Sequence, residues 1–281
     1  MKTAKVVCPF TGESEARKVF VYSKPPSGEI RFKPVKEQAY YREIWQFILS
    51  RHYLSVHQIN LSNLYESAYV DANYHDKEGL QKSFERIIEL PPDQSDNAGR
   101  IEYITTFLRT RISDISSPTL LDIGSGLGVF PFRMHQAGWQ CTALDPDPRS
   151  VEHIRNFGID AQQGDFMEFS QGNFYNLITF NKVLEHVENP TSMLHKSRKH
   201  LDPGGLVYIE LPDGEMAESD GPEREEFFVD HHHIFSFTSL SMMADQAGFS
   251  VLQIQRLREP STKYTLRAFL EPHKEFKNEK I

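Results

Sequence analysis

The chain has 281 residues, of which 39% are hydrophobic and 25% charged, enough for one large α/β domain plus a smaller appendage. Its net charge of −8 argues against a nucleic-acid groove or an anionic membrane surface as partner. Cys8 and Cys141 are the only cysteines and lie far apart in the chain, which excludes a disulfide framework and a four-thiolate metal site.

No apolar run reaches the roughly 18 residues that a membrane span needs, and no signal-peptide core is visible, so a soluble cytoplasmic protein is expected. In chain order, Lys18–Ser23 (KVFVYS) and Glu29–Val35 (EIRFKPV) read as short strands around a Pro-Pro-Ser-Gly turn. Ala39–Leu54 (AYYREIWQFILSRHYL) and Lys82–Leu90 (KSFERIIEL) have the apolar spacing of helices. The polar, proline-containing stretch Leu90–Gly99 reads as a linker. Beyond it helices and strands alternate: a helix from Arg100, the strand TLLDI, a helix over Leu127–Gln136, the strand QCTALD, the helix PRSVEHIRNFG and the strand IDAQQGD. The strand YNLITFN, the helix TSMLHKSRKHL, the strand GLVYIELP and the helix TSLSMMADQAG follow, and FSVLQIQRL with KYTLRAFLE close the series as an antiparallel pair. Strands separated by helices of this length need crossover connections, so a mostly parallel sheet covered on both faces is expected. The implied division is residues 1–95 as a lid or substrate-recognition region, 96–272 as the main domain and 273–281 as a tail.

The stretch LLDIGSGLGVF, beginning at Leu120, runs an apolar strand through Asp122 into Gly124, Gly126 and Gly128 ahead of a helix. Glycines there permit a tight turn and a close approach of ligand to backbone. The second strand ends at Asp145, where a carboxylate can accept hydrogen bonds from both ribose hydroxyls of a nucleoside. Gly164-Asp165-Phe166 follows the third strand and offers a carboxylate and a ring to an adenine. The third glycine of a pyrophosphate-binding loop is missing, because Phe130 or Pro131 occupies its place, so a nucleoside without phosphates suits the loop better.

LLDIGSGLGVF, ALDPDP, GDFMEF, YNLITFNKVLEHVENP and HLDPGGLVYIELP, in this order, closely resemble the class I S-adenosylmethionine-dependent methyltransferases over about residues 100–270. The resemblance implies a Rossmann-like α/β fold with a seven-stranded, mostly parallel sheet whose last strand is antiparallel. It implies S-adenosyl-L-methionine as cofactor, with Asp122 and the Gly124-Ser125-Gly126 to Gly128 loop at the methionine end. Asp145 and Pro146 would lie at the ribose, Asp165 and Phe166 at the adenine, and Asn181 and Lys182 beside the sulfonium. Asp147 is a rival for the ribose but already suits a helix N-cap. LEHV together with HHHIFSFTSL resembles the small-molecule branch, which methylates quinones, sugars, antibiotics and polysaccharide precursors. Cys8–Gly12 (CPFTG) and Leu64–Gly79 resemble the N-terminal region of nucleotide-sugar C-methyltransferases, but Thr11 stands where the second zinc-binding cysteine would be.

Methyl transfer needs alignment, exclusion of water and, for a hydroxyl or carbon acid, removal of a proton, a task that suits histidine. His231, His232 and His233 are the candidates. In an extended segment His231 and His233 share one face and His232 takes the other. By resemblance His233 aligns with a single histidine of this branch, and Thr238 then caps the next helix. His186 reads as structural or pocket-lining. A metal held by His231 and His233 with Asp230 or Glu226 is a weaker reading, because Asn181 replaces the carboxylate of metal-dependent relatives; no metal is assigned. Residues 210–226 hold eight acidic side chains and one arginine, Arg224, and read as a solvated mobile loop. The function expected is methyl transfer to a small polar metabolite such as a sugar, nucleotide-sugar or polysaccharide precursor, with O-transfer favoured over C- or N-transfer. A nicotinamide-dependent oxidoreductase and a non-catalytic cofactor-binding module are the alternatives, and a homo-oligomer is compatible with the sequence.

Overall fold

A computed structural model describes residues 6–29, 40–59, 77–112, 114–170 and 172–274. It begins with a small antiparallel sheet of β1 (Ala16–Tyr22), β2 (Arg42–Phe47) and β3 (Tyr53–His57). This corrects the helix expected over Ala39–Leu54. Burial along β2 alternates, with Arg42, Ile44 and Gln46 inward and Glu43 and Trp45 half-buried. Two of the three inward residues are polar, so hydrophobicity does not follow the two-residue period that identifies a strand. Arg42 is tolerated inside because its guanidinium pairs with Glu29 at 3.0 Å, both side chains being fully buried. Of the strand expected over Glu29–Val35 only Glu29 is among the described residues, and most of Leu64–Gly79 also lies outside them.

Helix α1 (Lys77–Ile88) precedes a short 3-10 turn at Pro92–Gln94, and α2 (Asp96–Leu108) starts at once on Ser95, whose hydroxyl accepts from the Ala98 amide. The main sheet then forms from β4 (Thr119–Ile123), β5 (Gln140–Asp145), β6 (Asp160–Gln163), β7 (Tyr175–Asn181) and β8 (Leu201–Pro212), with parallel pairing among these five. After the two-residue strand β9 (His233–Ile234) come β10 (Phe249–Arg258) and β11 (Tyr264–Pro272). The order is β10-β11-β8-β7-β4-β5-β6, with β11 antiparallel to both its neighbours. The expected seven-stranded, mostly parallel sheet is borne out.

Both faces of this sheet are covered, which is why its central strands read as near-continuous apolar runs. Leu121, Ile123, Ile178, Phe180, Val207 and Ile209 pack with Leu194 of α5 (Pro190–Ser197) and with Leu240 and Met243 of α7 (Phe237–Gln246). Leu120, Leu177, Leu206 and Tyr208 meet Ile104 and Leu108 of α2, Met134 of α3 (Val129–Gln136) and Ile154 of α4 (Pro148–Arg155). Asp147 caps α4 by accepting from the Arg149 amide at 2.8 Å, as its sequence position suggests. Helix α7 is capped by Ser236 in a reciprocal box with Ser239, not by Thr238. β9 ends two residues before this cap, and the helix begins two residues earlier than a Thr238 cap implies.

The acidic segment 210–226 is not a loose loop. It contains α6 (Gly214–Asp220) and a 3-10 turn at Glu225–Phe227, tied by the pairs Arg17–Glu218, Arg51–Glu215, Arg256–Asp213 and Arg224–Glu226. β9 pairs with β3 through Tyr53↔Ile234 and Leu54↔His233, adding a fourth strand to the small sheet. The histidine segment is therefore held by the N-terminal sheet.

Candidate active site

The C-terminal ends of the parallel strands meet at one rim, and the loops leaving them line a cavity of about 1220 Å³. The Gly126 amide donates to Asp145 Oδ2 at 2.8 Å, and the Asp147 amide donates to Asp145 Oδ1 at 2.9 Å. Burial pushes the Asp145 carboxyl up to about 6 against these two hydrogen bonds, which favour its charged form. Gly126 has a φ of 51°, and a Cβ there would meet no atom within 4 Å, so the backbone lies open to the cavity. Gly128, with a φ of 72°, differs: its Cβ would lie 2.5 Å from Ile154 Cγ1. The first glycine makes room for a ligand and the second for a helix.

Gly124, Gly126, Asp145, Pro146, Asp165, Phe166, Asn181 and Lys182 all line the cavity. Asp122, Ser125 and Gly128 do not. Asp122 is buried behind the loop, where its Oδ1 accepts from Thr179 Oγ1 at 2.6 Å and Asn181 Nδ2 at 2.9 Å. Ser125 Oγ donates to the Asp122 carbonyl at 2.8 Å. Burial raises the Asp122 carboxyl to about 6. The expectation that Asp122 cradles a ligand directly is thus corrected to a buttress that joins β4, β7 and the glycine turn. Lys182 has a φ of 60°, and its amide donates to the Glu210 carbonyl at 3.1 Å. Behind it Glu210 is fully buried, accepts from Arg100 and Tyr208, and is held at about 2, its burial outweighed by the Arg100 charge.

The three histidines separate. His233 is buried and does not line the cavity. Its Nε2 faces the Glu188 carbonyl at 3.3 Å and its Nδ1 lies 3.0 Å from His52 Nε2. Since the carbonyl only accepts, His233 carries its proton on Nε2 and accepts on Nδ1, and burial holds it down at about 4. The expectation of His233 as the base is corrected on this geometry: both ring nitrogens are engaged inside the fold. His232 also lies off the cavity lining, stacked on His57 with ring centroids 6.2 Å apart. His231 lines the cavity, as does His186. Alternation along the strand fails for His231 because its amide closes a turn on the Phe228 carbonyl two residues before β9 begins.

Glu185, Glu188, Lys263 and Tyr264 also line the cavity, a place the sequence reading did not give them, as do Glu226 and Asp230, which it weighed only as metal ligands. The signal for Glu185 was its position beside His186 in LEHV; the turn at Leu184–His186 directs both into the site. Lys263 and Tyr264 arrive from the start of β11, a contact made by tertiary pairing alone.

A family model described as a methyltransferase domain matches residues 94–254. The chain belongs to that family. The resemblance to class I S-adenosylmethionine-dependent methyltransferases is thereby borne out. Among curated relatives, a ubiquinone biosynthesis O-methyltransferase of Xanthomonas oryzae pv. oryzae is 27% identical over 121 residues, 40% of this chain and 48% of that protein. A cypemycin N-terminal methyltransferase of a Streptomyces species is 25% identical over 145 residues, 48% of this chain and 58% of that protein. The chain thus spans about half the length of the curated relatives it matches. Among solved structures, the 1,6-didemethyltoxoflavin-N1-methyltransferase of Burkholderia thailandensis covers 86% of this chain and 100% of its own, at a TM-score of 0.57 and 15% identity. The magnesium protoporphyrin IX methyltransferase of Synechocystis covers 76% and 98%, at 0.54 and 13%. These two likenesses establish the fold. No helix among the described residues is long and apolar enough to cross a membrane.

Proposed function

We propose that this methyltransferase takes S-adenosyl-L-methionine as donor and methylates a hydroxyl of a small polar metabolite. A sugar, nucleotide-sugar or polysaccharide precursor is the acceptor class, in preference to a nucleic acid. One observation carries the reading: the Gly126–Asp145 cradle and the Glu185, His186 and His231 side chains line the same cavity of about 1220 Å³. Ligand pockets usually measure roughly 300–1,000 Å³, so this one has room for a nucleoside donor and a second molecule together.

The cradle suits the donor. Open space over Gly126 admits a ligand against the backbone, and the buried Asp145 carboxylate can accept from two ribose hydroxyls. Asp165 and Phe166 flank the adenine position. When bound, the donor supplies a methyl group already activated on a sulfonium. The protein's own tasks are to align the acceptor, exclude water and handle its proton. Lys182, Glu185, His186 and His231 are polar groups that line the cavity for this work, and His231, not His233, is the histidine of the triplet that reaches it. Carboxylates and imidazoles suit a polyhydroxylated acceptor, because they can hold several hydroxyls at once. The N-terminal sheet, as a substrate-recognition region, acts through β9, which fixes the segment carrying His231.

A second reading, N-methylation, is favoured by the surplus of Glu185, Glu188, Glu225, Glu226 and Asp230 over Lys182 and Lys263 in the lining, which would attract an amine. Calorimetric titration with S-adenosylhomocysteine tests the donor half, and absence of binding overturns it. Incubation with S-adenosylmethionine and panels of nucleotide-sugars and of amines, read by mass spectrometry, tests the acceptor half.

A further inference from the structure

We propose that Glu185, His186 and His231 form a binding site for a divalent transition-metal ion, Zn²⁺ being the ion their donor set suits, placed to hold the acceptor's oxygen beside the methyl donor. One ligand atom from each of the three residues lies within 4.8 Å of the others. Two imidazoles and a carboxylate are borderline ligands that favour zinc and its neighbours over magnesium or calcium. Three protein ligands leave coordination positions open, the pattern of catalytic rather than structural sites. Metal bonds of about 2.0–2.2 Å put ligand atoms roughly 3–3.5 Å apart, so binding closes the cluster by side-chain movements on the order of an ångström.

Two further observations point to a ligand. Glu185 is 1% exposed, and its Oε2 has no hydrogen-bond partner among the described residues. A buried carboxylate oxygen left in that state needs a counterpart. Both histidines, moreover, are oriented as metal ligands are. His186 Nδ1 lies 2.9 Å from the Asp230 carbonyl and His231 Nδ1 2.9 Å from the Glu226 carbonyl. A carbonyl only accepts, so each ring carries its proton on Nδ1 and its lone pair on Nε2. Asp230 Oδ2, 3.8 Å from His186 Nδ1, adds a carboxylate behind the ring, the arrangement that raises the basicity of metal-bound imidazoles. The ring centroids of His186 and His231 are 4.9 Å apart at 64°, edge to face, so one ion can meet both.

The weaker metal reading of the sequence joined His231 to His233. The fold instead turns His233 into the body of the protein and sets His231 against a 3-10 turn that is 45 residues away in the chain, at His186. The role of the ion in catalysis rests on the methyl-transfer reading; its binding does not. An acceptor hydroxyl bound to the ion would lose its proton to water in the cavity mouth. Its oxygen lone pair would then form the C–O bond as the C–S pair returns to sulfur, leaving the neutral thioether.

The test is calorimetry on the full chain, stripped with a chelator and titrated with Zn²⁺, with and without saturating S-adenosylhomocysteine. One Zn²⁺ per chain is expected. Loss of a residue that merely supports a ligand costs about 10–100-fold in metal affinity, so His231→Ala and Glu185→Gln are each expected to cost at least about 100-fold. His135→Gln, on α3 and away from the cluster, is expected to titrate as wild type. X-ray absorption at the zinc edge of the wild-type complex is expected to show scattering from two imidazoles, a readout independent of whether the variants fold. No stoichiometric uptake, uptake unchanged in both variants, or a zinc shell without imidazole overturns the proposal. S-adenosylhomocysteine binding without zinc uptake sinks the metal site alone, and zinc uptake without S-adenosylhomocysteine binding sinks the methyl-transfer reading alone.

Discussion

The two glycines of the β4–α3 turn should separate stability from binding. Gly128→Ala places a Cβ 2.5 Å from Ile154 Cγ1 at a φ of 72°. A left-handed alanine costs roughly 1–2 kcal/mol and overpacking of a filled core about 1–3 kcal/mol, so a loss of about 2–5 kcal/mol is expected. Gly126→Ala, at a φ of 51° with nothing within 4 Å, carries only the backbone part, roughly 1–2 kcal/mol. Binding should rank the other way. The new methyl at 126 projects where the donor must approach the backbone, so affinity for S-adenosylhomocysteine is expected to fall by about tenfold or more, equivalent to about 1.4 kcal/mol. Folded Gly128→Ala should bind within about threefold of wild type, since a change that size is under 1 kcal/mol. Urea denaturation and calorimetry on both variants measure the two quantities, and adding Ile154→Ala to Gly128→Ala should restore part of its stability. Wild-type affinity in Gly126→Ala, or equal destabilisation by the two substitutions, would refute the reasoning.

Asp145 gives a pH signature with opposite signs for folding and binding. Its carboxyl is raised from 3.8 to about 6 by burial, so its contribution to stability of the ligand-free protein is full below about pH 4 and lost as pH rises through 6. Ribose hydroxyls need the ionised form, so affinity for S-adenosylhomocysteine should drop about tenfold between pH 7 and 5, and Asp145→Asn should bind weakly with a flat profile; a steep profile in that variant would contradict this assignment. Arg42→Met leaves Glu29 buried and unpaired and frees the Phe227 carbonyl that Arg42 holds, so a loss of about 3–5 kcal/mol is expected by denaturation. Turnover on the acceptor panel should fall by about 100-fold or more in His231→Ala, whereas His233→Ala should lose stability and, in its folded fraction, keep most of its turnover; the reverse pattern would return the catalytic role to His233.

The main sheet was legible in the sequence because its signals are local. TLLDI, QCTALD and YNLITFN coincide with β4, β5 and β7, and each is buried on both faces, so its apolar run is short and continuous whatever it pairs with. The glycine turn and the acidic end of β5 were legible for the same reason: a left-handed backbone and a strand end constrain residue types where they stand. The small sheet was not legible, since its inward Arg42 and Gln46 disguise the alternation and its partners lie far off in the chain. Nor could sequence sort the histidines. Which of three adjacent rings faces the cavity depends on β9 hydrogen-bonding to β3, about 180 residues earlier, a long-range pairing with no trace in neighbouring residues. Local chemistry thus determined what the rim can hold, and the tertiary structure alone decided that Glu185, His186 and His231 stand together beside it.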